Sequence, residues 1–173
     1  MLDPVASIPA SKVVILADET IKNVFISHVH EDDEGLGKLR DLLGKKGMEI
    51  RDGSINSDKP NEAKSHDYIK SDILAPRIRW AGTFIIYVTP HTKDSEWVDW
   101  EIEYAEKQGK RIVGIWAHGH KECEVPEALK KYADTVVPWN ADKIMAAIEG
   151  KSTDWENPDG VPLPMRPISR ANC

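Results

Sequence analysis

Short, strongly apolar runs alternate along the chain with stretches whose apolar residues recur every three or four positions. The first kind reads as buried strands: Val24 to Ser27, Met48 to Arg51, Thr83 to Thr89, Arg111 to Trp116 and Asp134 to Val137. Phe84 to Val88 is an unbroken β-branched and aromatic run, as expected of a central strand covered on both faces. The second kind predicts helices. Leu36, Leu39, Leu42 and Leu43 fall at helical spacing within Asp32 to Lys46, and Gly47 closes the segment. Tyr68, Ile69, Ile73, Leu74 and Ile78 predict a second helix that Pro76 should kink or shorten. Ser95 to Gln108 has a serine to cap its start and Gly109 to end it. Val125 to Tyr132, with Pro126 near its start, and Ala141 to Ile148 supply the last two.

Strands alternating with helices predict an α/β fold, a mostly parallel sheet covered on both faces. Five such strands fit a flavodoxin-like, doubly wound sheet of order 2-1-3-4-5, in which ligands sit beyond the carboxyl ends of strands one and three. The segments converging there are Ser27 to Asp33 and Pro90 to Glu101. We expect an N-terminal extension over 1–22, the domain over 23–149, and a Pro-rich C-terminal tail over 150–173, loosely ordered rather than core. Within the extension, Val13 to Leu16 is a candidate edge strand. The polar stretch Asp52 to Ser65 exceeds ordinary connection lengths and is expected to be a lid or partner-binding loop.

Composition narrows the function classes. The chain has 173 residues with a net charge of -6, so its field repels phosphate backbones and nucleic acid is not an expected partner. Two cysteines, Cys123 and Cys173, make no disulfide framework, which points to the cytoplasm. No apolar run is long enough for a membrane span.

In SEWVDWEIEYAEKQG, Val98, Ile102 and Ala105 form an inward stripe, and Glu101 lies on its margin near the predicted crevice. A carboxylate there is placed for partial burial, which raises its pKa and suits it to a reacting cleft. The alternative is a solvated helix residue paired with a neighbour.

The segments FISHVHEDD (Phe25 to Asp33) and TFIIYVTPHTKDSEWVDWEIEYA (Thr83 to Ala105) resemble the TIR domains, and among them the TIR-like ThsB proteins of bacterial Thoeris antiphage defence. The likeness runs from about Asn23 to Glu149. Its specific part is the Ser-x-Trp-Val-x-x-Glu pattern of Ser95, Trp97, Val98 and Glu101. By resemblance Glu101 is the catalytic glutamate, Ser95 and Trp97 flank it, and Ser27 and His28 fall where the first-strand loop lines the substrate pocket. The resemblance implies NAD as substrate rather than a bound cofactor. It implies cleavage of the nicotinamide-ribosyl bond, and ADP-ribose or a cyclic or conjugated ADP-ribose signal as product. That signal would be read by a separate effector protein, and the family commonly self-associates.

Other readings stand beside this one. A TIR scaffold acting through protein contacts alone, and a nucleoside deoxyribosyltransferase-like enzyme with a glutamate at a ribosyl carbon, are the rivals. The acidic triplet Glu31, Asp32 and Asp33 is similar to the magnesium site of response-regulator receivers. The third strand, however, ends on Thr89 and Pro90 instead of an aspartate. His118, His120 and Cys123 lack the paired spacing of a structural zinc site, so no metal is expected. Trp100 is a candidate for an oligomer surface.

Overall fold

The computed structural model describes residues 20–54 and 69–164. Val13 to Leu16, residues 55–65 of the predicted loop and the end of the tail lie outside them. The described elements are β1 (Thr20–Ser27), a 3-10 turn (His30–Asp32), α1 (Asp33–Gly44), β2 (Met48–Asp52), a π-helical turn (Ile69–Leu74) running into α2 (Ala75–Trp80), β3 (Thr83–Val88), α3 (Glu96–Lys107), β4 (Arg111–Trp116), α4 (Glu127–Tyr132), β5 (Thr135–Val137) and α5 (Ala141–Ile148). All neighbouring strands pair in parallel, in the order β2-β1-β3-β4-β5. The flavodoxin-like α/β sheet expected from the pattern is therefore the observed one.

Period-two alternation divides the core. Ile85 and Tyr87 of β3 join Val24 and Ile26 of β1 beneath α1 and α5. On the opposite face, Phe84, Ile86 and Val88 join Phe25 and the α2, α3 and α4 residues Ile78, Val98, Ile102 and Leu129. Phe25 and Phe84 are register partners on β1 and β3, and their rings stack at 5.5 Å and 8°. Every residue of β3 is buried, which is why its sequence shows no polar alternation.

Three features differ from expectation. β1 begins at Thr20 rather than Val24, extending over Lys22 and Asn23 because its partner β2 runs alongside from Met48. The predicted second helix divides. Pro76 cannot offer an N–H to the Asp72 carbonyl, and the next donor, five residues on, has π-helical spacing. The π-helical turn accordingly precedes a short α2 with Pro76 in its first turn.

The third difference lies in the tail, whose described part is pinned rather than loose. The Val136 amide donates to the Asp154 carbonyl at 3.0 Å, and the Glu156 amide donates to the Val136 carbonyl at 2.9 Å. Trp116 Nε1 donates to the Glu156 carbonyl at 2.8 Å, and Lys143 Nζ holds both carboxylate oxygens of Glu156 at 2.7 and 2.6 Å. Residues 154–156 thus cover the outer edge of β5 as an extra strand would.

The fit of α1 onto β3 is tight at one glycine. A Cβ on Gly35 would stand 2.3 Å from the buried Tyr87 hydroxyl, whereas one on Gly37 would meet nothing within 4 Å. Gly35→Ala is expected to lower stability by about 1–3 kcal/mol through overpacking. Gly37→Ala should raise it by about 0.5–1 kcal/mol through helix propensity. Urea denaturation of the two variants checks the opposite signs; equal shifts would refute the tight α1–β3 contact.

Candidate active site

β1 ends on Ser27 with its side chain toward α3, because residues of that parity (Phe25, Ser27) face the α2–α4 layer. Helix α3 starts at the carboxyl end of β3, where the Ser95 hydroxyl accepts a bond from the Val98 amide at 3.4 Å and caps it. Val98, Ile102 and Ala105 then bury their stripe against the sheet. That rotation carries Glu101 inward with them, and its residual exposure is 7%.

The two elements meet in one hydrogen bond. Ser27 Oγ donates to Glu101 Oε2 at 2.5 Å, both groups being buried and 74 positions apart in sequence. Burial in this apolar layer pushes the Glu101 carboxyl up to about 7, while the Ser27 hydroxyl bond pulls it down. Glu101 therefore sits near the midpoint of its titration at neutral pH. It can accept or release a proton there, or present a poorly solvated negative charge to a cationic group.

The residues predicted from the sequence are not all brought together. Ser27 and Glu101 touch. Ser95 serves as the cap of α3. Trp97, one turn before Glu101, is half-buried, and the Lys70 ammonium lies 5.5 Å from its ring centre. His28 follows Ser27 and points to the other face, where Nδ1 donates to the Ile26 carbonyl and Nε2 bonds Asp33 Oδ1, both at 2.8 Å. It organises the entry to α1 and does not contact Glu101. Trp100 stacks on Tyr104 at 5.2 Å, so one face of its ring is already covered.

The acidic triplet is engaged as well. Asp32 Oδ2 accepts from Thr89 Oγ1 at 2.7 Å, Thr89 contacts Thr92 Oγ1, and Thr92 Oγ1 donates to the Tyr87 carbonyl at 3.2 Å. This network ties the exit of β1 to the exit of β3. Asp52, at the end of β2, accepts from the Ile26 amide, from the Ser54 amide and hydroxyl, and from Arg40. Sequence reasoning missed both. The available signal was polar residues at or shortly beyond three strand ends, where a parallel sheet converges. His118 packs edge-on against Trp139, and among the described residues no group of three or more His, Cys, Asp or Glu is placed to hold a metal ion.

A family model described as "Thoeris protein ThsB, TIR-like domain" matches residues 25–122. The chain belongs to this family. A relative named "Putative cyclic ADP-D-ribose synthase TIR2", from Cytobacillus dafuensis, is 25% identical over 111 residues, covering 62% of this chain and 29% of that protein. The ThsB TIR-like chain thus spans less than a third of that relative's length. Among solved structures, the CMP N-glycosidase BcmB of Clostridium botulinum is 18% identical with a TM-score of 0.45, over 75% of this chain and 97% of that one. The 2-deoxyribosyltransferase from Bacillus psychrosaccharolyticus is 12% identical with a TM-score of 0.48, over 70% and 89%. No helix among the described residues is long and apolar enough to cross a membrane.

Burial of Glu101 has a thermodynamic sign. Its folded-state pKa of about 7 lies above the ordinary 4.5, so the folded protein holds a proton that the unfolded chain has released between those values. The associated stability is fully present below pH 4.5 and lost as pH rises through 7, about 3 kcal/mol in all. Glu101→Gln should therefore gain stability relative to the parent as pH rises from 5 to 8. Denaturation at the two pH values measures it; a pH-independent difference would mean the carboxylate is not desolvated in the fold.

Proposed function

We propose that this TIR domain cleaves the nicotinamide-ribosyl bond of NAD, with Glu101 as the catalytic carboxylate. The buried Ser27–Glu101 pair carries the reading, because it sets a near-neutral carboxylate at the crevice of a fold whose family is shown and whose relative bears the name of a cyclic ADP-D-ribose synthase. NAD is the substrate in this reading, not a resident cofactor.

The chemistry needs few groups. The C1–N bond breaks with its electron pair leaving on nicotinamide, which departs neutral, and positive charge develops over the ribosyl C1 and ring oxygen. A carboxylate held in an apolar wall stabilises that charge more than it stabilises bound substrate. Glu101, oriented by the Ser27 hydroxyl, is that carboxylate, and it also suits the ribose hydroxyls as a hydrogen-bond acceptor. Water adding to C1 and losing a proton gives ADP-ribose. An adenine nitrogen or another nucleophile adding instead gives a cyclic or conjugated product. In this reading the product acts on a separate effector protein, and the enzyme works in the cytoplasm as a homo-oligomer.

Purified protein incubated with NAD, followed by liquid chromatography with mass detection, tests this directly. Nicotinamide release is expected in the parent and a loss of at least 100-fold in Glu101→Gln, about 3 kcal/mol of transition-state stabilisation. The mass of the co-product separates hydrolysis from cyclisation. Deoxynucleosides run in parallel address the transferase alternative, and a folded parent protein that releases no nicotinamide in vitro or in lysate of phage-infected cells favours the scaffold. Activity should rise with pH through about 7 as Glu101 ionises. In Ser27→Ala the bond that lowers the carboxyl is gone, so the rising limb should move toward higher pH. A limb that stays in place would remove Ser27 from the site.

A further inference from the structure

Lys70 stands on the π-helical turn Ile69–Leu74 and reaches across to α3. Its ammonium lies 5.5 Å from the ring centres of both Trp97 and Trp100. Those tryptophans precede Glu101 by four and one positions on the same helix, and four helical residues rise about 6 Å. That distance is on the scale that separates a ribosyl C1 from its own 5′ phosphate. The charge at Lys70 thus lies against the turn of α3 that precedes Glu101.

Its partners differ from those of six other lysines, although Lys131 likewise lies over a ring, that of Tyr132, at 4.7 Å. Lys38, Lys46, Lys93, Lys130, Lys143 and Lys151 each hold a carboxylate. Lys70 faces indole rings, and among the described residues it pairs with no carboxylate, although the chain has 29 acidic against 23 basic residues. A cation over an aromatic face at a half-exposed position is weakly held, whereas an ammonium meeting phosphate gains a charge-assisted bond. The aromatic seat keeps the cation beside α3 with no carboxylate of the described residues against it.

We propose that Lys70 is the residue that binds the diphosphate of the substrate. On entry of the nucleotide the ammonium turns from the two indoles to the phosphate oxygens. This rests on the NAD-cleaving reading and deepens it, assigning a specificity residue that selects diphosphate-bearing substrates over the bare nucleoside.

Two measurements on Lys70→Met, which keeps the aliphatic stem, and Lys70→Arg, which keeps the charge, decide the matter. Calorimetric titration with ADP-ribose needs no turnover: Lys70→Met should bind about 10-fold more weakly, with the difference shrinking as salt is raised, and Lys70→Arg should stay within about 3-fold of the parent. In turnover, Lys70→Met should raise KM for NAD about 10-fold with kcat little changed, while kcat/KM for nicotinamide riboside, which lacks phosphate, stays within 2-fold. Equal ADP-ribose affinity in parent and Lys70→Met, no ADP-ribose binding by the parent, or an equal loss on both substrates overturns the proposal. If NAD is bound and not cleaved while ADP-ribose affinity still depends on Lys70, the cleavage reading falls and the diphosphate site stands.

Discussion

Parallel pairing of β1 with β2 on one side and β3 on the other is the constraint from which the site follows. The chain leaves β1 toward β2 in one direction across the sheet and leaves β3 toward β4 in the other. Right-handed crossovers then put α1 and α3 on opposite faces. Successive residues at the end of β1 are thereby committed to different helices. Ser27 has α3 before it and His28 has α1. The split between the buried pair Ser27–Glu101 and the organising pair His28–Asp33 is a consequence of sheet geometry rather than of any property of the loop itself.

Three buried carboxylates in this molecule differ in how their charge is met. The side chain of Asp52 is 2% exposed, and its oxygens accept two backbone amides, one hydroxyl and a guanidinium. Glu156 is 7% exposed and receives the Lys143 ammonium on both oxygens. Glu101 is as buried as Glu156, yet the partner it has among the described residues is a single neutral hydroxyl. Charge-bearing donors offset the desolvation of a carboxylate, and one hydroxyl does so only in part. Asp52 and Glu156 hold loops in place, while Glu101 retains an unmet demand for positive charge. An arrangement that costs stability persists where something other than stability selects it.

Much of this was legible in the sequence. The strand order and the placement of Glu101 followed from periodicity, because a fully apolar β3 and an amphipathic α3 leave little freedom in how they pack. Ser27 and His28 were legible as positions but not as opposites: they are adjacent at the end of a strand, so strand alternation sends one to α3 and the other to α1, whereas the resemblance lines both along one pocket. The described part of the tail was misjudged because its anchors are backbone bonds to Val136 and one lysine–glutamate pair, none of which leaves a hydrophobic period. The π-helical turn escaped for a related reason: Pro76 announces a break, and the register of the carbonyls before it depends on donors that composition does not reveal. Lys70 was invisible because its partners, Trp97 and Trp100, lie in a helix that the fold alone brings near.

The rim and the mouth of the site are built by opposite means. Asp32 bonds Thr89 at 2.7 Å, and Asp52 bonds the Ile26 amide at 3.3 Å, so the carboxyl ends of β1, β2 and β3 are cross-linked by partly buried hydrogen bonds. Such a rim holds Ser27 in position without help from a ligand, as electrostatic catalysis requires. Glu101, in contrast, is nearly closed off, and the ammonium lying over the neighbouring indoles meets ring quadrupoles and no carboxylate among the described residues. In the proposed reaction, a rigid acceptor behind a lightly fastened cation would admit an anionic nucleotide at small conformational cost. It also keeps water from solvating the carboxylate until the substrate arrives, which preserves the near-neutral pKa on which the proposed chemistry depends.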